Sequence, residues 1–216
     1  MRMTQPALIW TETGTPVATA FDDPYFTGGI EETRHVFLTG NDLPARLRDG
    51  FHVAELGFGT GLNLLALADL WQGPGTLLYT SFEAFPLAPA DMDRALAPFG
   101  LPLAGALVAQ WAVGLRLSLP GVEVQVILGD ARQTLPLWQG RADAWFLDGF
   151  APARNPELWG DDLLAEVARH TAPGGTLATY TAAGHVRRAL ETAGFAVTRQ
   201  PGFGRKKHMT TGRMPA

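Results

Sequence analysis

Apolar residues along this chain follow two alternating rhythms. Short runs that are continuous or of period two read as strands, at residues 51–56, 76–82, 122–128, 142–147 and 175–181. Between them, apolar positions three or four apart predict helices over 62–71, 91–97, 161–170 and 184–193. Asp161 or Asp162 stands where a helix cap is needed, and Gly194 where the last helix should close. Residues 98–120 read as loop and short helix. Residues 195–200 and 208–213 form a closing strand pair with no helix between them, joined through Pro201, Gly202, Phe203 and Gly204. Strand–helix alternation predicts an α/β fold: a mostly parallel seven-stranded sheet, helices on both faces, and one antiparallel strand near the C-terminus. The part before Phe51 is turn-rich around Gly14, Asp22 and Gly28, with one helical stretch over 29–39. It has too little apolar matter for its own core, so residues 1–50 read as a cap on a domain of residues 51–216.

Composition narrows the chemistry. Hydrophobic residues make up 46% and charged residues 18% of 216, enough for a core and too little charge for a disordered chain. Cysteine is absent, which excludes disulfides, thiolate-bound zinc, iron–sulfur clusters and a cysteine nucleophile. Radical chemistry on a cluster and thiolate attack on a pyrimidine ring go with them. His35, His52, His170, His185 and His208 show no metal-ligand spacing and read as surface or core residues, so no metal is expected. The most apolar helix, 62–71, contains Asn63 and Asp69 and is half the length of a membrane span. Residues 1–10 hold one Arg and no apolar run of the secretory kind, so a cytoplasmic location is expected. The net charge of −4 hides an asymmetry: from His185 onward, seven basic residues face only Glu191. A basic end on an acidic body is the footprint of a polyanion partner, or else a solvated hairpin.

The turn after the first long strand reads Glu55-Leu56-Gly57-Phe58-Gly59-Thr60-Gly61-Leu62-Asn63. Glycines admit positive φ and a close ligand, and a helix start adds free N–H groups. A phosphate loop needs a Lys here, and the first Lys of the chain is Lys206. A dinucleotide site needs G-x-G-x-x-G, but the third position holds Leu62 or Leu64. The spacing is E-x-G-x-G-x-G instead, which resembles the first motif of S-adenosyl-L-methionine (SAM)-dependent methyltransferases, whose sheet ends in the same hairpin. A purely structural turn is the alternative. Glu83 ends the second strand, where a carboxylate can accept both ribose hydroxyls, and Asp130 ends the third, where that fold meets adenine. The fourth strand runs out through Leu147 into Asp148-Gly149-Phe150-Ala151-Pro152, the loop toward which that fold aims the methyl group. There Asp148 could accept an amine N–H, aim its lone pair and take its proton; capping a turn is its plainer role.

Several further blocks make the likeness specific. Asp148 to Pro152 with Asn155-Pro156 and Trp159, the segment from Glu31 to Leu38, the glycine turn, Ser81-Phe82-Glu83, Pro173 to Thr179, Val186-Arg187-Arg188 and Gly202 to Lys206 resemble the tRNA 5-methylaminomethyl-2-thiouridine methyltransferase family (MnmD, or the methyltransferase domain of bifunctional MnmC). The likeness runs from about Tyr25 to Gly212. It implies methylation of the 5-aminomethyl group of wobble uridine 34, with SAM as donor and Asp148 as the catalytic acid/base. It implies Tyr25, Glu32, Glu55, Gly57, Gly59, Thr60, Gly61, Asn63, Glu83, Asp130, Ala131 and Asp148 around the cofactor. Phe150, Pro152, Trp159 and Tyr180 would wall the flipped base, and Arg187, Arg188, Arg205, Lys206 and Lys207 would meet phosphates of the tRNA anticodon arm. The FAD-dependent oxidase of the bifunctional form is absent from these 216 residues: a standalone protein would receive the aminomethyl substrate from another enzyme, whereas in a domain cut from the bifunctional form the oxidase belongs to the remainder. A small-molecule amine methyltransferase and a non-catalytic RNA-binding module are the other readings.

Overall fold

A computed structural model describes residues 5–216. Part of the 1–50 cap and of the leader reading, residues 1–4, lies outside that range. A small antiparallel sheet comes first: β1 (Leu8–Trp10), β2 (Pro16–Ala18) and β3 (Asp23–Pro24). Then α1 (Gly29–Thr33) runs into a wider π-helical turn, Arg34–Leu38. The large sheet is built from β4 (His52–Leu56), β5 (Leu77–Glu83), β6 (Arg116–Leu119), β7 (Val122–Leu128), β8 (Ala142–Leu147), β9 (Thr171–Thr179), β10 (Ala196–Pro201) and β11 (His208–Arg213). Its helices are α2 (Leu62–Leu70), α3 (Pro89–Leu96), α4 (Ala104–Trp111), α5 (Ala131–Thr134), α6 (Asp161–Arg169) and α7 (Gly184–Thr192).

The strand order is β10-β11-β9-β8-β4-β5-β7-β6. Strands β5 and β8 flank β4 in parallel, and β7 and β9 extend the parallel set outward. The chain therefore winds from β4 to one side and returns to the other. The crevice this opens lies at the carboxyl ends of β4 and β8, where ligands of such sheets bind. β11 is antiparallel to β9 and β10, as the closing strand pair predicts.

The sheet has eight strands rather than seven. The addition, β6, pairs antiparallel with β7 inside the stretch read as loop. Its alternation is short but present: Leu117 and Leu119 are buried while Arg116 and Ser118 are exposed. Four residues before a Pro-Gly turn are simply a weak signal. The cap of α6 also differs, because its N-cap is Gly160 with no side-chain bond. Asp161 and Asp162 sit in the first turn, where they face the positive helix end.

The central strands are buried on both faces, which is why they read as near-continuous apolar runs. Val53, Ala144 and Phe146 face one core with α2, α3 and α4, and Val36, Phe37 and Leu38 of the N-terminal part join it. Ala54, Leu56, Trp145 and Leu147 face the other, with α6 and α7. Among the described residues, no helix is long and apolar enough to cross a membrane.

Candidate active site

A cavity of about 510 Å³ opens at the carboxyl ends of β4, β5, β7 and β8. Its floor is the glycine turn. Gly57 has φ +83°, and a Cβ there would lie 3.3 Å from the Gly149 Cα, so the β4 and β8 loops touch backbone to backbone. Gly59 (φ +53°) lies under the Tyr25 ring, 3.3 Å from where a Cβ would stand. Gly61 is the left-handed N-cap of α2, packed against Leu107 and Phe58 rather than the cavity.

Two carboxyl groups and a hydroxyl meet around one amide. Asn63 Nδ2 donates to Glu55 Oε1 at 2.9 Å and to Asp148 Oδ2 at 2.7 Å, while its Oδ1 accepts from Thr33 Oγ1 at 2.9 Å. All three contacts agree on one amide orientation. Glu55 also accepts from Ser81 Oγ at 2.7 Å. It is fully buried and does not line the cavity, so it acts from behind Asn63. Burial drives its pKa well up, despite the bonds from Asn63 and Ser81. Asp148 does face the cavity, and burial pushes its pKa up to about 6 against the opposing bonds from Asn63 and the Gly149 N–H.

The loop after Asp148 is pinned at three successive residues. Tyr180 donates its hydroxyl to Gly149 O at 2.8 Å, Trp159 Nε1 donates to Phe150 O at 2.9 Å, and the Ala151 N–H donates to Asp23 Oδ2 at 2.7 Å. Trp159 is therefore a buried brace beneath the loop, not a cavity wall. Phe150 and Tyr180 do line the cavity, and Pro152 does not. Phe21 stacks on Phe150 with ring centres 4.4 Å apart and meets Phe85 edge-on at 5.6 Å.

The remaining acids lie where the β-strand ends predicted them. Glu83 lines the cavity and accepts from the Gly59 N–H at 2.9 Å and the Phe85 N–H at 2.6 Å. Its burial raises its pKa in spite of these bonds, and burial beside Glu83 raises that of the Tyr25 hydroxyl. Asp130 caps α5 and grips the Arg132 guanidinium at 2.9 Å, which lowers its pKa. Tyr25, Glu32, Thr60, Ala131 and Asn63 also line the cavity. Of the five basic residues assigned to phosphate, Arg188, Arg205 and Lys207 are exposed and Arg187 half-buried. Lys206 instead points into the cavity wall, 2.9 Å from Glu32 Oε1 and 4.1 Å over the Tyr180 ring.

Sequence reasoning missed Phe21, Asp23, Phe85 and the inward turn of Lys206. Phe21 and Asp23 sit in a short turn-rich stretch with no periodic pattern, and only docking of β3 against the Asp148 loop gives them a place. Among the described residues no cluster of His, Asp and Glu could hold a metal ion.

Residues 103–215 match the family model of S-adenosyl-L-methionine-dependent methyltransferases. The chain is 48% identical to a tRNA 5-methylaminomethyl-2-thiouridine biosynthesis bifunctional protein MnmC of Caulobacter sp. (strain K31), covering 94% of this chain and 37% of that protein. Against the protein of the same name in Pseudomonas paraeruginosa it is 47% identical, over 95% of this chain and 34% of the relative. It thus spans about a third of the length of these curated relatives. The crystal structure of MnmC2 from Aquifex aeolicus superposes with a TM-score of 0.78 at 26% identity, covering 100% of this chain and 73% of that one.

Proposed function

This chain belongs to the S-adenosyl-L-methionine-dependent methyltransferases, and from that premise we propose that it methylates the 5-aminomethyl nitrogen of a (2-thio)uridine at wobble position 34 of tRNA. The observation that carries the reading is Asp148, a cavity carboxylate with a pKa near 6, fixed by Asn63 at 2.7 Å on a loop pinned at three points. The names of relatives 46–48% identical to it supply the acceptor.

The donor set suits SAM. The Gly57–Gly149 contact leaves no room for side chains and so opens the cavity floor to a ligand against backbone. Glu83 and Asp130 offer carboxylate oxygens at the strand ends for hydroxyl and amino donors, and the cavity's acids suit a cationic ligand. Bound there, SAM supplies a methyl group activated by its sulfonium. The protein's own part is to present a neutral amine in line with it. Asp148, ionised for the most part at neutral pH, accepts the amine proton and aims the lone pair. Glu55 and Asn63 hold Asp148; they are positioning residues. Phe150 and Phe21 offer apolar surface for a base drawn from its stack.

On this reading Arg187, Arg188, Arg205 and Lys207 meet anticodon-arm phosphates, the work is cytoplasmic, and an FAD-dependent oxidase or another enzymatic activity supplies the aminomethyl group. The test is methyl transfer from labelled SAM to tRNA from cells that cannot finish the wobble modification, followed by nucleoside mass analysis. One added methyl on an aminomethyluridine is expected. No transfer, with SAM still bound, would overturn the tRNA reading in favour of a small-molecule amine.

A further inference from the structure

Of Arg187, Arg188, Arg205, Lys206 and Lys207, only Lys206 lines the cavity. Its ammonium is held at two points, the Glu32 carboxylate and the Tyr180 ring face. Glu32 is itself aimed: its other oxygen accepts from Thr27 Oγ1 at 3.0 Å and from the Gly28 N–H at 2.9 Å. Burial disfavours the Glu32 charge, but the bonds from Lys206, Gly28 and Thr27 outweigh it and lower its pKa, so Glu32 is a carboxylate near neutrality. A half-buried ion pair adds little to stability, since desolvation roughly cancels its attraction.

Nor does the pair tune Asp148. That carboxyl is faced by Glu55 from β4, Asn63 from α2, Glu32 from α1, Tyr180 from the end of β9 and Lys206 from the β10–β11 hairpin. Glu32 raises its pKa and Lys206 lowers it, so the two act against each other. What the pair offers the cavity is an ammonium donor beside a carboxylate acceptor, both preset by local bonds.

We propose that Lys206, aimed by Glu32, determines acceptor specificity by donating to the carbonyl oxygen on ring carbon 4 of the uracil, with Glu32 set to take the neighbouring ring N–H. This rests on the acceptor proposed above. In a uracil substituted at carbon 5, that oxygen is the base's hydrogen-bonding atom nearest the aminomethyl nitrogen. Holding the nitrogen at Asp148 therefore brings the oxygen to the same cavity wall. A cytosine ring inverts both contacts, with an amino donor at carbon 4 and a bare lone pair at nitrogen 3, leaving both charged groups wrongly paired.

The experiment uses two synthetic anticodon stem-loops, one with 5-aminomethyluridine and one with 5-aminomethylcytidine at position 34. Their affinities for the wild type, Lys206→Met and Lys206→Arg are read by fluorescence anisotropy without SAM, then turnover is read with it. The wild type is expected to favour the uridine loop by about tenfold or more. Lys206→Met should lose most of that ratio, and Lys206→Arg, which keeps a donor, should retain it. A ratio taken within one protein cancels any loss to misfolding. Equal affinities in the wild type, or a Lys206→Met ratio like the wild type's, would overturn the proposal. A preference that Lys206→Met erases, with no methyl transfer to the uridine loop, upholds the recognition and overturns the proposed reaction instead.

Discussion

At the scale of single residues, the site turns on one amide between two acids. Asn63 stands between Glu55 and Asp148 and has no spare polar atom, since Thr33 takes its oxygen. Burial beside it raises Asp148, and a raised carboxyl pKa has a definite sign for stability. The folded state binds the proton more tightly than the unfolded one, so Asp148 favours folding below the unfolded value of 3.8 and loses that contribution as pH rises through about 6. Asp148→Asn removes the charge and keeps an acceptor for Asn63. It is expected to raise unfolding stability at pH 8 by up to about 3 kcal/mol, with a smaller gain at pH 5, in denaturant titrations. The same variant should lose methyl transfer while SAM affinity persists. In the wild type, kcat should rise with pH through an acid limb near 6, where Asp148 ionises. A limb that survives in Asp148→Asn would assign it to another group.

At the scale of elements, two turns carry the site. The β4–α2 turn works because Gly57 holds a left-handed φ and meets Gly149 without a side chain between them. Gly57→Ala adds both a φ penalty of about 1–2 kcal/mol and a close approach to backbone that cannot move aside. SAM affinity should fall by at least about tenfold, measured by calorimetry, and unchanged affinity would mean the β4 and β8 loops separate easily. The β10–β11 turn divides its basic residues: Arg205 and Lys207 face solvent while Lys206 faces inward. Replacing Arg205 and Lys207 with Ser should flatten the salt dependence of tRNA binding by about 0.7–0.9 in log–log slope for each phosphate no longer neutralised. Lys206→Met should leave that slope alone. A slope untouched by the double change would make the exposed pair merely solvated.

At the scale of the molecule, the N-terminal sheet is docked on the reactive loop. Phe21 stacks on Phe150, Asp23 takes the Ala151 N–H, and Asp22 pairs with Arg154 at 2.9 Å. The last pair is exposed and adds little. Asp23 matters more, because its removal leaves a half-buried backbone donor without its partner, at about 1 kcal/mol. Asp23→Ala should therefore speed amide exchange at Ala151 and raise KM for the acceptor several-fold, with the large sheet unaffected. Exchange at Ala151 as slow as in the wild type would show that Phe21 alone holds the sheet down.

The sequence by itself determined the strand–helix alternation, the glycine turn and the acids at successive strand ends. Each of these is local: a period of two or 3.6, a φ that only glycine adopts freely, a polar residue closing an apolar run. From those local signals the parallel sheet and the place of Glu83, Asp130 and Asp148 around one crevice follow, because strands wound in this order put their carboxyl ends together. Tertiary structure alone decided the rest. Glu55 and Asp148 are 93 residues apart in the chain, and nothing local says that Asn63 will bridge them. Trp159 reads like a base-stacking aromatic until the loop closes over it and hides it. Lys206 reads like its neighbours Arg205 and Lys207 until the hairpin lands beside α1 and Glu32 captures its ammonium. β6 needed β7 beside it to exist as a strand. In each case the deciding partner lies outside the pattern of the segment itself, where neither periodicity nor residue type can reach.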